Sequence, residues 1–268
     1  MSRLAETFAA ARAEDRAALI AYLPAGFPTM ADCVPVIAAM VENGVDIVEV
    51  GLPYSDPLMD GPVIQDAVAH ALAAGVRTKD VLRVVEGVAG TGAPALVMSY
   101  WNPIERYGQE EFAAAMRQAG GAGVITPDLT PEEAATWISA TDANDIDRVF
   151  LVAPSSTDER IGLVSSVCSG FVYAASTMGV TGTRTAVSGA AETLVGRVRQ
   201  ATTAPVCVGL GVSNGDQAAA IAQYADGVIV GSAFVKALQD ADTPAQGASA
   251  AARLAAELAE GVRRKDRG

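Results

Sequence analysis

The chain has 268 residues, of which 50% are hydrophobic and 5% aromatic, and its 19 Lys and Arg against 31 Asp and Glu give a net charge of −12. This length and composition predict a globular α/β protein rather than a disordered one, and the acidic balance disfavours nucleic acid and anionic membranes as partners. Because the apolar runs are far shorter than the ~20 residues of a membrane span, and Glu6 and Arg12 interrupt the N-terminus before an apolar signal region forms, the sequence predicts a cytoplasmic protein.

Eight short runs rich in Val, Ile and Leu recur along the chain, and most are followed by a segment with helical spacing. Buried parallel strands that alternate with helices produce this pattern. Eight such units fit a (β/α)8 TIM barrel better than a doubly wound sheet, which usually has five or six strands. We therefore predict a single barrel domain over residues 1–268. The predicted strands are Ala18–Pro24, Asp46–Gly51, Ala95–Tyr100, Gly123–Pro127, Arg148–Ala153, Phe171–Ser176, Val206–Leu210 and Gly227–Val230.

Two further helices are expected at the ends of the chain. An extra N-terminal helix, Leu4–Arg16, is predicted to cover the bottom of the barrel, and an Ala-rich helix, Thr243–Arg263, closes the chain. Within the barrel, Thr130 followed by Pro131 predicts one helix start, and Ser213 predicts another near Asp216.

Cysteine and histidine content restricts the chemistry. The three cysteines, Cys33, Cys168 and Cys207, lie far apart without a CxxC pair and are interpreted as core residues of a protein in a reducing compartment. His70 is the only histidine, which excludes a multi-histidine metal site. It falls inside a predicted helix and away from strand ends, so we interpret it as structural or solvent-facing.

Glu49 is the first candidate for catalysis, because active sites of TIM barrels form at the carboxyl ends of the strands. It stands near the end of the second strand, on the same face as Ile47 and Gly51. If that face is the barrel interior, burial raises the pKa of the carboxyl and suits it to general acid–base work. The alternative is a Glu paired with a surface Lys or Arg.

A stiff acidic loop, LPYSDPLMDGP at residues 52–62, follows this strand and offers a second carboxylate, Asp60. The alternative for Asp60 is a helix N-cap or an Asx turn before Pro62. Tyr173, near the end of the sixth strand, is expected to line the pocket or to hydrogen-bond Glu49, and the alternative is an ordinary core residue. For Asp128, helix capping is the alternative to a site role.

Glycine clusters at the ends of the last three strands predict a phosphate site. They comprise GVTGT at residues 179–183, GLG at residues 209–211, and Gly231 followed by Ser232, where the eighth helix starts. Such loops expose backbone N–H groups, and a helix N-terminus adds a favourable dipole, so an acidic protein can bind phosphate without a cluster of Lys or Arg. The absence of GxxxxGK[ST] argues against a nucleoside triphosphate.

Residues 48–62, VEVGLPYSDPLMDGP, resemble the signature of the tryptophan synthase α subunit family. Further stretches resemble the same family in order along the whole chain: AYLPAG at 21–26, MSYWNP at 98–103, PDL at 127–129, GVTG at 179–182 and GSAFVK at 231–236. The resemblance implies a TIM barrel that needs no metal or organic cofactor and cleaves indole-3-glycerol phosphate, by a retro-aldol reaction, to indole and glyceraldehyde 3-phosphate.

The resemblance also implies roles for particular residues. Glu49 becomes the acid and base of the cleavage, and Asp60 binds the indole N–H and stabilises positive charge on the ring. Tyr173 lies beside Glu49, and Thr181 closes over Asp60. The remaining positions are phosphate ligands Gly182, Gly211, Gly231 and Ser232, and indole-pocket residues Tyr22, Met98, Tyr100, Ile125 and Pro127.

The implied partner is the β subunit of an α2β2 assembly, facing Asp56, Asn102 and Pro103. Two alternatives stay open. One is a stand-alone indole-3-glycerol phosphate lyase, or another phosphate-binding barrel such as a sugar-phosphate isomerase. The other is a non-catalytic protein that activates a β subunit, against which the intact Glu49, Asp60 and glycine loops argue.

Overall fold

A computed structural model describes residues 1–175, 184–209 and 211–264, with the backbone alone for residues 184–188. Its strands form one sheet in the order β5-β4-β3-β2-β1-β9-β8-β7-β6, in which each pair of neighbours is parallel. The predicted TIM barrel is confirmed. The strands are β1 (Ala18–Pro24), β2 (Ile47–Gly51), β3 (Ala95–Met98), β4 (Gly123–Ile125), β5 (Asp147–Val149), β6 (Leu151–Val152), β7 (Val172–Ala175), β8 (Val206–Gly209) and β9 (Gly227–Val230).

Helices surround this sheet and pack on its outer face, and one further helix covers the bottom of the barrel. They are α1 (Arg3–Ala13), α2 (Met30–Glu42), α3 (Pro62–Ala73), α4 (Thr78–Ala89), α5 (Trp101–Tyr107), α6 (Gln109–Gln118), α7 (Ala135–Ala143), α8 (Asp158–Val167), α9 (Arg184–Ala201), α10 (Gly215–Ala222), α11 (Ser232–Gln239) and α12 (Pro244–Arg263).

The barrel closes through a strand that the sequence predicted as one element and the structure divides in two. β5 pairs with β4 up to Val149, and β6 pairs with β7 from Leu151. Between them, the Phe150 N–H leaves the ladder and lies 3.4 Å from the Cys168 sulfur, while the Phe150 carbonyl accepts the Tyr173 N–H. The chain changes its partner strand here, from β4 to β7. The two edge strands of the sheet, β5 and β6, are therefore consecutive parts of one segment, and this closes the barrel.

The N-terminal helix α1 covers the bottom of the barrel, as predicted. Its buried residues Leu4, Phe8 and Ala11 pack into the inner cluster of the barrel, and Phe8 meets Phe171 edge-on at 5.9 Å between ring centroids. The helix ends at Ala13, three residues before the predicted end. Arg16 lies beyond it and forms a two-pronged ion pair with the Asp46 carboxylate, at 2.7 and 2.9 Å.

The helix start predicted at Thr243 is confirmed, and the one predicted at Ser213 is corrected. Thr243 caps α12 by accepting the Gln246 N–H. The cap of α10 is Asn214, whose amide oxygen accepts the Gln217 N–H, so the prediction of Ser213 was one residue early.

The helix predicted at Thr130 begins later. Pro131–Glu133 forms a 3₁₀ turn, and α7 starts only at Ala135, because the Thr130 hydroxyl bonds the Glu133 carboxylate rather than a backbone N–H. The three cysteines are free, with Cys33 and Cys207 fully buried, as expected of core residues.

Candidate active site

A cavity of about 140 Å³ opens at the carboxyl ends of the strands. Strand register places its inward-facing residues side by side: Tyr22 is opposite Glu49, and Leu151 is opposite Tyr173. Because seven of the nine strands contribute residues, all except β4 and β5, the walls combine acidic, aromatic and glycine groups from distant parts of the sequence. The lining residues are Tyr22, Glu49, Met59, Asp60, Gly61, Ile64, Met98, Leu151, Tyr173, Ala175, Gly209, Gly211, Ile229, Gly231 and Ser232.

Glu49 is a buried acid at the floor of the cavity. Its side chain is 0% exposed, and neither carboxyl oxygen has a hydrogen-bond partner among the described residues. Burial raises the pKa of this carboxyl to about 8. The inward orientation predicted from strand alternation is confirmed, and the alternative of a surface ion pair was wrong. Near neutral pH, Glu49 is therefore mainly a neutral acid that can donate a proton.

Asp60 reaches the same cavity from the loop after β2. It is half-buried, and burial raises the pKa of its carboxyl while a hydrogen bond from the Tyr100 hydroxyl lowers it. The N-cap alternative was wrong: α3 is capped by Gly61, and Gln65 bonds the Asp60 carbonyl rather than its carboxylate. The Asp60 carboxylate is thus available to a ligand, with a phenol that favours its ionised form.

Two tyrosines flank these acids, and each lies against a glycine. A Cβ built on Gly51 would come within 2.3 Å of the Tyr22 hydroxyl, and one on Gly209 within 2.4 Å of the Tyr173 hydroxyl. Both glycines therefore leave the space that the tyrosine hydroxyls occupy. Burial first, and then nearby carboxyls, raise the pKa of both phenols, so they stay neutral.

The opposite end of the cavity contains three of the residues that were predicted to bind the anion. Gly211 has a left-handed φ of 65°, Gly231 is the N-cap of α11, and Ser232 is its first residue. The first N–H groups of a helix have no acceptor within the helix and attract anions. No Lys or Arg is found among the described lining residues. Thr181 and Gly182, predicted to contact the ligand, lie outside the described residues.

Three predicted indole-pocket residues lie outside the set that lines this cavity. Ile125 is completely buried in the inner cluster of the barrel, where Met98 packs over that cluster. Pro127 follows β4, and Tyr100 points its hydroxyl at the loop carrying Asp60. Tyr22 and Met98 do line the cavity.

Some lining residues were missed by the sequence analysis. Leu151 and Ile229 occupy inward positions at strand ends, so the alternation that selected Glu49 was also the signal for them. Met59 and Ile64 gave no such signal, because they come from a loop and from the first turn of α3. His70, which was interpreted as structural or solvent-facing, is exposed on α3. Asp128, for which helix capping was the alternative to a site role, accepts the Trp101 N–H at 2.8 Å at the start of α5.

A second groove of about 380 Å³ lies beside the active-site loop. Asn102 and Pro103, two of the predicted partner-facing residues, line it together with Tyr54. Asp56, the third, is exposed on the adjacent loop and accepts a hydrogen bond from Ser55 at 2.5 Å. Leu58 follows at 79% exposure, which leaves an apolar side chain in solvent next to the groove.

The described part of the chain contains no group of three or more His, Cys, Asp or Glu arranged to hold a metal ion. None of its helices is long and apolar enough to cross a membrane. A TIM-barrel enzyme with two acidic side chains in its cavity is the class of protein that this fold and cavity define.

Comparison with known proteins narrows the class to one family. The model of the family "Tryptophan synthase alpha chain" matches residues 8–263. A tryptophan synthase alpha chain of Thermobifida fusca is 58% identical over 266 residues, covering 98% of each chain. A structure of Mycobacterium tuberculosis tryptophan synthase superposes with a TM-score of 0.91 at 54% identity, covering 98% of both chains. The alpha chain from Legionella pneumophila gives 0.90 at 29% identity over the full length of both.

The chain belongs to the tryptophan synthase alpha chain family. It is a lyase that carries out the alpha reaction of tryptophan synthase in tryptophan biosynthesis.

Proposed function

We propose that the cavity binds indole-3-glycerol phosphate with its phosphate at the glycine end and its indole ring between Glu49 and Asp60. The observation that carries this proposal is the fully buried Glu49 carboxyl, which lacks a hydrogen-bond partner among the described residues and shares the cavity with Asp60. The acidic and the glycine-lined ends suit the two ends of such a substrate. The resemblance to the family supplies the identity of the ligand.

The cleavage then proceeds by proton transfer through Glu49. Neutral Glu49 gives its proton to C3 of the indole ring, and positive charge develops on the ring nitrogen. The resulting carboxylate takes the proton of the hydroxyl on the adjacent glycerol carbon. As the carbon–carbon bond breaks, its electron pair returns to the ring, giving indole and glyceraldehyde 3-phosphate. Glu49 ends the cycle protonated, so one group serves as acid and base.

Asp60 acts on the ring rather than on the bond that breaks. Its ionised carboxylate accepts the indole N–H and stabilises the positive charge that develops there, an effect that is strong in a cavity shielded from water. Tyr173 lies beside Glu49, and Tyr22 and Met98 contact the indole ring. Gly182, Gly211, Gly231 and Ser232 bind the phosphate, and Thr181 closes over Asp60. Tyr100, Ile125 and Pro127 do not line the cavity, so they shape the indole pocket only through residues that do, as Ile125 does beside Met98 on the neighbouring strand.

Replacement of Ser232 tests the anion site. Ser232→Asp places a carboxylate at the first position of α11 and is expected to raise KM for the substrate at least about tenfold by charge repulsion. A negative charge at a helix N-terminus favours the helix itself, so the fold is retained. Ser232→Asn, which has nearly the same shape without the charge, is the control and is expected to change KM much less. Equal KM values in the two variants would show that the phosphate binds elsewhere than at the start of α11.

We further propose that the chain works in the cytoplasm with a tryptophan synthase β subunit, in an α2β2 assembly. The groove lined by Asn102 and Pro103, the exposed Asp56 and the exposed Leu58 support a partner surface beside the active-site loop. Docking there contacts the same loop that carries Asp60, which gives the partner a direct means of changing turnover.

The proposal is tested by indole formation from indole-3-glycerol phosphate, measured with the purified chain alone and with an added β subunit. Slow turnover that rises strongly with the β subunit is the expected result. Rapid turnover without it would identify a stand-alone lyase. No turnover in either mixture, with the β subunit still activated, would replace the proposal by the non-catalytic alternative.

A further inference from the structure

The side chain of Tyr22 crosses the cavity from its glycine end to its acidic end. A Cβ built on Gly231 would lie 3.3 Å from the Tyr22 Cδ1 and 3.4 Å from its Cβ, so the root of the side chain packs against the N-cap of α11. One built on Gly51 would lie 2.6 Å from Cζ and 2.8 Å from Cε2, and it would also collide with the hydroxyl. The phenol therefore ends at the inward position that follows Glu49 on β2.

The Tyr22 hydroxyl has no hydrogen-bond partner among the described residues. The side chain lines the cavity and is 9% exposed, and Gly51, against which the hydroxyl lies, has no side chain to bond it. Burial raises the pKa of the phenol well above its ordinary value, so the group is a neutral donor and acceptor. A polar group that lines a cavity without a protein partner is satisfied by water or by a ligand.

The substrate carries one polar group that the proposed placement leaves without a partner. Its phosphate lies at the start of α11, and the hydroxyl on the carbon next to the ring gives its proton to Glu49, so the hydroxyl on the middle glycerol carbon lies between them. Because Gly51 follows Glu49 by two residues on the same face of β2, the Tyr22 hydroxyl lies on the mouth side of Glu49. The phosphate site lies beyond the end of β9, so the glycerol chain runs from Glu49 toward the mouth and past this hydroxyl.

We propose that the Tyr22 hydroxyl determines specificity for the glycerol chain by hydrogen-bonding the hydroxyl on its middle carbon. The proposal rests on the proposed function for the orientation of the substrate, and it adds a polar contact to the ring contact expected of Tyr22. The middle hydroxyl takes no part in the bond changes of the cleavage. Its hydrogen bond is therefore equally strong before and during the reaction, and such uniform binding acts on KM rather than on kcat.

An analogue with hydrogen in place of the middle hydroxyl, here called the deoxy substrate, tests this contact. It keeps the hydroxyl that the cleavage requires and still yields indole. The wild-type protein is expected to use it with a kcat/KM about 5- to 10-fold lower than that for indole-3-glycerol phosphate, the usual effect of one neutral hydrogen bond.

Tyr22→Phe keeps the ring and removes the hydroxyl. It should raise KM for indole-3-glycerol phosphate about 5- to 10-fold with kcat nearly unchanged. Because the deoxy substrate has no group for the phenol to bind, the kcat/KM values of this variant for the two substrates should agree within about twofold. Both values are measured by steady-state indole formation.

Tyr173→Phe is the matched control, because it removes the other phenol of the cavity, whose hydroxyl lies against Gly209 on β8. Whatever its effect on turnover, it should keep the wild-type preference for indole-3-glycerol phosphate over the deoxy substrate. Each ratio compares two substrates on one protein, so a change in the folded fraction cancels. A Tyr22→Phe protein that keeps the wild-type preference would overturn the proposal, and so would a wild-type protein without one.

The proposed function fails in a different way. A wild-type protein that forms no indole from either substrate, with the β subunit added, would remove the proposed function and this contact with it. Indole formation by the wild type, together with an unchanged preference in Tyr22→Phe, would overturn the contact alone.

Discussion

Glu49→Gln is expected to lower kcat for indole formation about 10⁴-fold, because one residue supplies both proton transfers of the cleavage and an amide supplies neither. Gln has nearly the same volume, so the barrel and the anion end should be preserved and binding of the substrate should change only a few-fold. The measurement is steady-state indole formation with saturating substrate. Glu86→Gln, an exposed change on α4, is the matched control. Turnover within tenfold of the wild type would show that Glu49 does not carry out the proton transfers.

The same variant has an expected effect on stability. Burial raises the pKa of Glu49 to about 8 from an ordinary value of 4.5, so the ionised carboxylate is disfavoured in the folded state. The stability that protonated Glu49 contributes is complete below the unfolded pKa and is lost as pH rises through the folded one. Gln does not ionise. The difference in melting temperature between variant and wild type should therefore move in favour of the variant from about pH 4.5 to about pH 8, and change little above that.

Asp60→Asn is expected to lower kcat about 10²- to 10³-fold, because the variant keeps a hydrogen-bond acceptor for the indole N–H but loses the negative charge that stabilises the ring. KM should change less than kcat, since most of the charge develops during the reaction. The acid limb of the wild-type kcat profile, which reports ionisation of Asp60, should disappear in the variant. Asp66→Asn, on the exposed face of α3, is the control. An unchanged kcat in Asp60→Asn would confine Asp60 to a structural role.

The features that followed from the sequence depend on short-range regularities. The alternation along β2 was enough to predict that Glu49 faces the barrel interior, because every second side chain of a strand points to the same face. The pattern of eight apolar runs was enough to predict the barrel, because the parallel strands of this fold are apolar on both faces. The start of α11 at Ser232 also followed, since the glycine before it marks the end of β9.

The features that did not follow depend on contacts between distant segments. Whether Tyr100 lines the cavity or bonds the loop is decided by where residues 59 and 60 lie, and no local pattern encodes that. The break at Phe150 arises because the chain changes partner strand at the closure of the barrel. Ser213 and Asn214 are both good capping residues, and the choice between them depends on which one is in position to accept the Gln217 N–H.

The protonation state of Glu49 is the central physical claim, and NMR titration of carboxyl-labelled glutamate in the ligand-free protein tests it most directly. The Glu49 resonance is identified by its loss in Glu49→Gln. A midpoint near the expected pKa of about 8 would establish a neutral acid at the floor of the cavity near neutral pH. A midpoint near the ordinary glutamate value would contradict it, because Glu49 would then be ionised and unable to protonate the indole ring.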